Sequence, residues 1–306
     1  MTDSLLFSGA SCAAVTPFSG GSPDLDSFGR VLDRIVSGGI KTVVVCGTTG
    51  ESSTLTDPEQ QKVISFAVQR LEGKAKVLSG ASSNSTLHAA RRCAAAIALG
   101  AEGVLAVTPY YNKASDDGMV AHYKAVAESA AEASAKAGKA PAGVILYNVP
   151  SRTGSSLNMN ILERLAPVKN IVGIKEASGS VRFASEIISR FKDRYAVYSG
   201  CDELTLPILA CGGAGCVSVT ANVMPREVNE LCRAFFEGDT ARAAAISDML
   251  RPYTNALFSE VNPIPVKAVL SDMGLCREEY RLPLCPMTGE KREALRRLFA
   301  ERMGDR

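Results

Sequence analysis

A chain of 306 residues accommodates about two domains of ~150 residues each, or one α/β barrel of about 250 with an appendage. Its 34 Lys and Arg against 32 Asp and Glu leave a net charge of +2, so no field recruits nucleic acid or an anionic membrane surface by charge alone. With 46% hydrophobic and 22% charged residues it can bury a full core, which excludes disorder, a fibrous repeat and a disulfide-dense miniature fold.

The N-terminus carries Asp3 and no basic leader region, and no apolar run reaches the ~18 to 20 residues that cross a bilayer. The nine cysteines are odd in number and lack a Cys-x-x-Cys pair. They scatter through apolar runs (Cys46, Cys93, Cys216, Cys232) and read as small buried hydrophobes in a reducing cytosol, so a cytoplasmic protein is expected.

Eight short, nearly continuously apolar runs predict strands at 12–16, 42–46, 76–79, 103–107, 143–147, 171–174, 195–198 and 215–219. Helical periodicity fills the gaps, as at 28–37, 58–71, 86–99 and 119–137. Eight βα units predict a (β/α)8 TIM barrel of fold class α/β, with a doubly wound open sheet as its competitor. After the eighth strand come helical runs at 226–236, 240–257, 265–273 and 289–303, broken by Gly238, Pro252, Asn262-Pro263 and Pro283. The expected organisation is an N-terminal extension 1–10, a barrel 11–236 and a C-terminal helical domain 237–306. The Ala-rich stretch 124–140 reads as a partly solvated helix, because Ala is the best helix former.

Only His88 and His122 are present, with no P-loop and no metal-spaced ligand cluster, so metal, P-loop and Ser-His-Asp chemistry recede. Barrel active sites lie at the C-terminal strand ends. Strand two ends in Gly47-Thr48-Thr49-Gly50-Glu51, where tight glycine turns expose amides and two hydroxyls; a small carboxylate fits there, and an ordinary helix-capping turn explains the pattern equally well. Strand five runs into Tyr147-Asn148-Val149-Pro150-Ser151-Arg152-Thr153-Gly154, which offers a phenol and a guanidinium, or a core tyrosine and a surface arginine. Strand six is followed by Lys175, a cation at the end of a run built for the interior. Desolvation favours the neutral amine that attacks a ketone, while pairing with Glu176 or snorkelling to solvent would be the structural alternative. Together these ends suggest a class I aldolase acting on a 2-oxo acid.

Those segments, with Gly173-Ile174-Lys175-Glu176 and Asn262-Pro263-Ile264-Pro265-Val266-Lys267, resemble the dihydrodipicolinate synthase / N-acetylneuraminate lyase family of class I aldolases from about Ser11 to the C-terminus. The barrel and Lys175 indicate that superfamily; Arg152-Thr153-Gly154 is similar to its dihydrodipicolinate synthase branch. The resemblance implies a lyase of diaminopimelate and lysine biosynthesis. Lys175 would condense with pyruvate and the enamine attack L-aspartate 4-semialdehyde, with no cofactor and no metal. It implies catalytic roles for Lys175, Tyr147, Thr48 and Tyr111, the last entering a neighbouring subunit, and hence a homo-oligomer, commonly a tetramer. Substrate-binding roles fall to Thr49 for the pyruvate carboxylate, Arg152 for the semialdehyde carboxylate, and Gly200 and Val217 as pocket walls.

A second site binds lysine in some relatives. Ser52, Ser53, Asn84 and Tyr110 suit it, whereas Asp57, in the loop after strand two, Gln60 and His88 depart from the sensitive pattern. Sensitive relatives place a glutamate where His88 stands, and an imidazole offers no fixed negative charge to an ammonium, so weak or absent feedback is expected. His122 reads as a satisfied surface or helix-face histidine. A sugar-acid aldolase with the same imine chemistry and a non-catalytic barrel that binds 2-oxo acids stay open as alternatives.

Overall fold

The computed structural model describes residues 5–300. Eight parallel strands form a closed barrel: β1 Gly9–Ala13, β2 Thr42–Val45, β3 Lys76–Gly80, β4 Gly103–Val107, β5 Gly143–Asn148, β6 Ile171–Glu176, β7 Ala196–Ser199 and β8 Gly215–Ser218. Each strand lies beside the next in sequence, with β8 beside β1. The expected (β/α)8 barrel is therefore the architecture observed. Thr42-Val43-Val44-Val45 and Gly103-Val104-Leu105-Ala106-Val107 are buried throughout, as strands covered on both faces must be.

The first strand lies three residues earlier than its apolar run suggests. The N–H of Ala14 still bonds to Val44, but that of Val15 goes to the Asn222 side chain, and the chain then turns into a small hairpin pairing Phe18–Ser19 with Ser22–Pro23. The sixth strand continues through Lys175 and Glu176, so Lys175 stands inside the sheet.

Helix starts follow side-chain capping. Asp24, Ser85, Ser115, Ser180 and Asp239 each accept a backbone N–H of the first turn, and Thr56 with Glu59 forms a reciprocal capping box. Asp57 is thus the first residue of helix Asp57–Leu71 rather than a loop residue, because the Thr56 cap starts the helix one position before it. Pro252, expected to break the C-terminal helices, lies inside helix Thr240–Leu257. It forfeits one backbone bond, while Leu250, Thr254 and Leu257 stay buried on the same helix. The Ala-rich helix spans Asp116–Lys136 and is half in the core. Helix Gly289–Ala300 closes the described chain; the expected continuation to 303 and residues 1–4 of the expected extension lie outside the described residues.

Contacts group the chain into two compact units, one of Met1–Gly9 with Lys76–Val217 and the other of Ala10–Ala75 with Ser218–Arg306. None of the nine cysteines joins a disulfide; Cys201 and Cys211 are half-buried and Cys285 is exposed, against the expectation of uniform burial. No helix among the described residues is long and apolar enough to cross a membrane.

Candidate active site

In the first unit β5 and β6 pair in a register that sets Tyr147 against Lys175 and Asn148 against Glu176. Side chains alternate along a strand, so the two pairs occupy opposite faces of the sheet. Lys175 Nζ lies 4.2 Å from the centroid of the Tyr147 ring, and both residues are buried, at 5% and 6% exposure. Glu176 does not pair with Lys175, since alternation turns it away. Its carboxylate accepts from Asn148 Nδ2 at 2.7 Å and from the Ser178 N–H at 2.6 Å, and burial pushes its pKa up. Asn148 Oδ1 in turn accepts the Leu157 N–H at 2.9 Å, bracing the strand ends that carry the phenol and the amine.

Gly200 follows β7 and donates its N–H to the Glu176 carbonyl at 2.7 Å. A Cβ there would stand 2.6 Å from Ala177 Cβ and 3.0 Å from Lys175 Cε, so glycine leaves the room that the lysine side chain occupies. Val217 is buried in β8. Arg152 is exposed on the single-turn helix Pro150–Thr153. Its neighbour Thr153 ties that turn to the loop after β4: the carbonyl accepts the Tyr111 N–H at 3.3 Å and the hydroxyl accepts from Thr108 Oγ1 at 3.0 Å. Tyr111 is 87% exposed at φ 72°, a left-handed conformation rare for an aromatic residue, and Tyr110 beside it is half-buried. Asn84 is half-buried, and His88 is exposed in the first turn of helix Thr86–Ala98. His122 is satisfied on its helix but buried, with Nδ1 3.0 Å from Thr86 Oγ1; burial lowers its pKa to about 4.

In the second unit the turn after β2 holds Thr48, half-buried, and Thr49, buried. Cys46 and Glu51 bracket it in left-handed conformations, at φ 51° and 52°. Asn262 Nδ2 donates to Thr49 Oγ1 at 3.0 Å, and Thr16 Oγ1 donates to the Gly50 carbonyl at 2.8 Å. Lys267 Nζ bonds Glu51 Oε1 at 2.6 Å with both side chains fully buried, and it also lies 4.4 Å from the Phe18 ring centroid. Burial pushes the Lys267 pKa down and the Glu51 carboxylate opposes that shift. Ser52 and Ser53 form the next turn, where the Ser52 carbonyl accepts from the buried Gln60 amide at 2.9 Å. Asp57 is exposed.

The structure thus brings Lys175, Tyr147 and Gly200 together, and joins the Arg152 and Tyr111 segments. Glu51, Asn148, Glu176, Asn262 and Lys267 are structural partners to which the sequence alone assigns no role at the site. One available signal was Lys267 itself, a cation inside the apolar run Ile264-Pro265-Val266-Lys267-Ala268-Val269-Leu270.

The profile of the Dihydrodipicolinate synthetase family matches residues 6–302. A 4-hydroxy-tetrahydrodipicolinate synthase of Geobacter metallireducens is 43% identical over 296 residues, covering 97% of this chain and 99% of that relative. The crystal structure of dihydrodipicolinate synthase from Aquifex aeolicus superposes with a TM-score of 0.91 at 41% identity, covering 97% of this chain and 98% of that one. A chloride-inhibited dihydrodipicolinate synthase from Acinetobacter baumannii, solved in complex with pyruvate, gives 0.90 at 38% identity, with 96% and 98% covered. The chain therefore belongs to the dihydrodipicolinate synthetase family, whose members are lyases of the class I aldolase type. Its particular activity within that class is that of a 4-hydroxy-tetrahydrodipicolinate synthase.

Proposed function

We propose that the chain condenses pyruvate with L-aspartate 4-semialdehyde through a Schiff base on Lys175. The amine adds to the pyruvate ketone and water leaves, giving an imine. Loss of a methyl proton gives the enamine, whose carbon attacks the semialdehyde's aldehyde. The semialdehyde's own amine then attacks the imine carbon, closing the ring and releasing Lys175. Tyr147 is the proton relay, a role supported by its ring lying against Lys175 Nζ. Thr48 and Tyr111 extend the relay, with Tyr111 serving a neighbouring subunit of a homo-oligomer, in our reading a tetramer. Thr49 holds the pyruvate carboxylate and Arg152 the semialdehyde carboxylate, a task suited to a forked guanidinium. Gly200 and Val217 shape the pocket. The protein works in the cytoplasm without a cofactor.

The observation that carries the reading is the buried Lys175–Tyr147 pair in one register of β5 and β6. Borohydride reduction in the presence of pyruvate should leave a pyruvyl adduct that peptide mapping places on Lys175. An adduct elsewhere, or none, would remove the central step.

We further propose that Ser52, Ser53, Asp57, Asn84, His88 and Tyr110 mark a second site with little affinity for L-lysine, since His88 supplies no fixed negative charge. An initial-rate titration near pH 8 should show weak or absent inhibition, and strong inhibition at low lysine concentrations would refute it.

A further inference from the structure

The hydrogen bond between Asn262 and Thr49 has a direction. An amide nitrogen has only protons to give, so Thr49 Oγ1 accepts at 3.0 Å and keeps its own proton for another acceptor. Accepting from the amide also polarises the hydroxyl and makes it a stronger donor, an effect that grows where water is excluded; Asn262 and Thr49 are both buried.

The same segment holds the Glu51 side chain at the end of the turn. Asn262 lies two residues before helix Ile264–Asp272, which places Lys267 on Glu51, and Glu51 Oε2 also accepts the Arg281 N–H at 3.3 Å. On the other side of Thr49, the Gly50 carbonyl is held by Thr16. The hydroxyl is held by one direct contact, and the turn that carries it by a bond to the Gly50 carbonyl and two to the Glu51 carboxylate, so it is oriented before a ligand arrives.

We infer that Asn262 is a positioning residue that commits the Thr49 hydroxyl to donate, and so sets the affinity for the carboxylate of the 2-oxo acid. The inference rests on the assignment of Thr49 to that carboxylate. Asn262 acts through Thr49, which distinguishes it from a residue that merely holds the fold.

Asn262→Leu keeps the approximate size and removes the donor. The KM for pyruvate should rise roughly fivefold, as for loss of one neutral hydrogen bond. Thermal midpoint and the KM for the semialdehyde should stay close to those of the unsubstituted protein. Asn262→Asp, which turns the donor into an acceptor and adds a charge, should raise the pyruvate KM further. In a Thr49→Val background, Asn262→Leu should change the pyruvate KM less than about twofold, because the hydroxyl it orients is gone. Effects that multiply in the double variant, or equal rises in both KM values, would overturn the inference. Should Asn262→Leu fail to fold, Asn262→Ala in the same cycle with Thr49→Val decides the question by the same two outcomes. Failure of the unsubstituted protein to form the borohydride-trapped adduct would instead sink the proposed function, an outcome read before any variant is made.

Discussion

Lys267 has none of its side chain exposed, and its ammonium meets the Glu51 carboxylate at 2.6 Å across a sequence separation of 216 residues. Lys175 is nearly as buried, yet what faces its Nζ is the ring of Tyr147, and the carboxylate next to it in sequence is turned away onto Asn148 and Ser178. Both are cations in runs built for the interior. A buried ammonium locked to a carboxylate serves the fold; one set against a phenol, in space that a glycine leaves open, is the one we propose for chemistry. Burial of a lysine is thus no mark of catalysis until its partner is known.

Exchanging the two roles gives the largest expected effects. Lys175→Met should lower turnover by at least about a thousandfold while leaving the chain folded, because the covalent step is lost. Lys267→Met should do the reverse at the level of stability, costing about 3 to 5 kcal/mol in denaturant unfolding by stranding a buried carboxylate. Adding Glu51→Gln should recover a large part of that loss. A stable Lys267→Met variant would break the comparison.

His122 is a third buried base, held neutral by burial, with the Thr86 hydroxyl at Nδ1 and the Tyr123 ring against its edge. Its pKa of about 4 lies below the 6.5 of an unfolded histidine, so protonation favours the unfolded chain. The stability from this residue is intact above about pH 6.5 and falls as the pH drops toward 4; between pH 7.5 and 5 the loss should be about 2 kcal/mol. Urea midpoints at the two pH values, compared with those of His122→Gln, check it; an unchanged slope in the variant would assign the acid sensitivity elsewhere.

Arg152 extends the comparison to an exposed cation, for which we propose the carboxylate of the second substrate as a ligand. Arg152→Ala should raise the semialdehyde KM more than tenfold, on the ~1.5 to 3 kcal/mol of a charge-assisted hydrogen bond, and leave adduct formation with pyruvate nearly unchanged. Equal damage to both half-reactions would point to a structural role.

The alternation of apolar runs and helical periodicity determined the barrel, because parallel strands covered on both faces and amphipathic helices leave local patterns that survive in a bare sequence. The closing residues Thr49, Tyr147 and Lys175 were legible for the same reason: polar groups ending apolar runs are conspicuous. The end of β6 was not, since the polar residues Lys175 and Glu176 hide a strand that continues through them by pairing with Tyr147 and Asn148. Nor was Pro252, whose helix is carried past it by buried neighbours. Only the tertiary structure separated Lys175 from Lys267. Each follows apolar residues, and what distinguishes them is a partner brought from elsewhere: Tyr147 by strand register, and Glu51 from a turn more than two hundred residues away. Asn262 gained its role in the same way, through a bond to Thr49 over a separation of 213 residues. Sequence periodicity records which side chains face inward, while the direction of a hydrogen bond or the pairing of a charge depends on which strangers the fold makes neighbours.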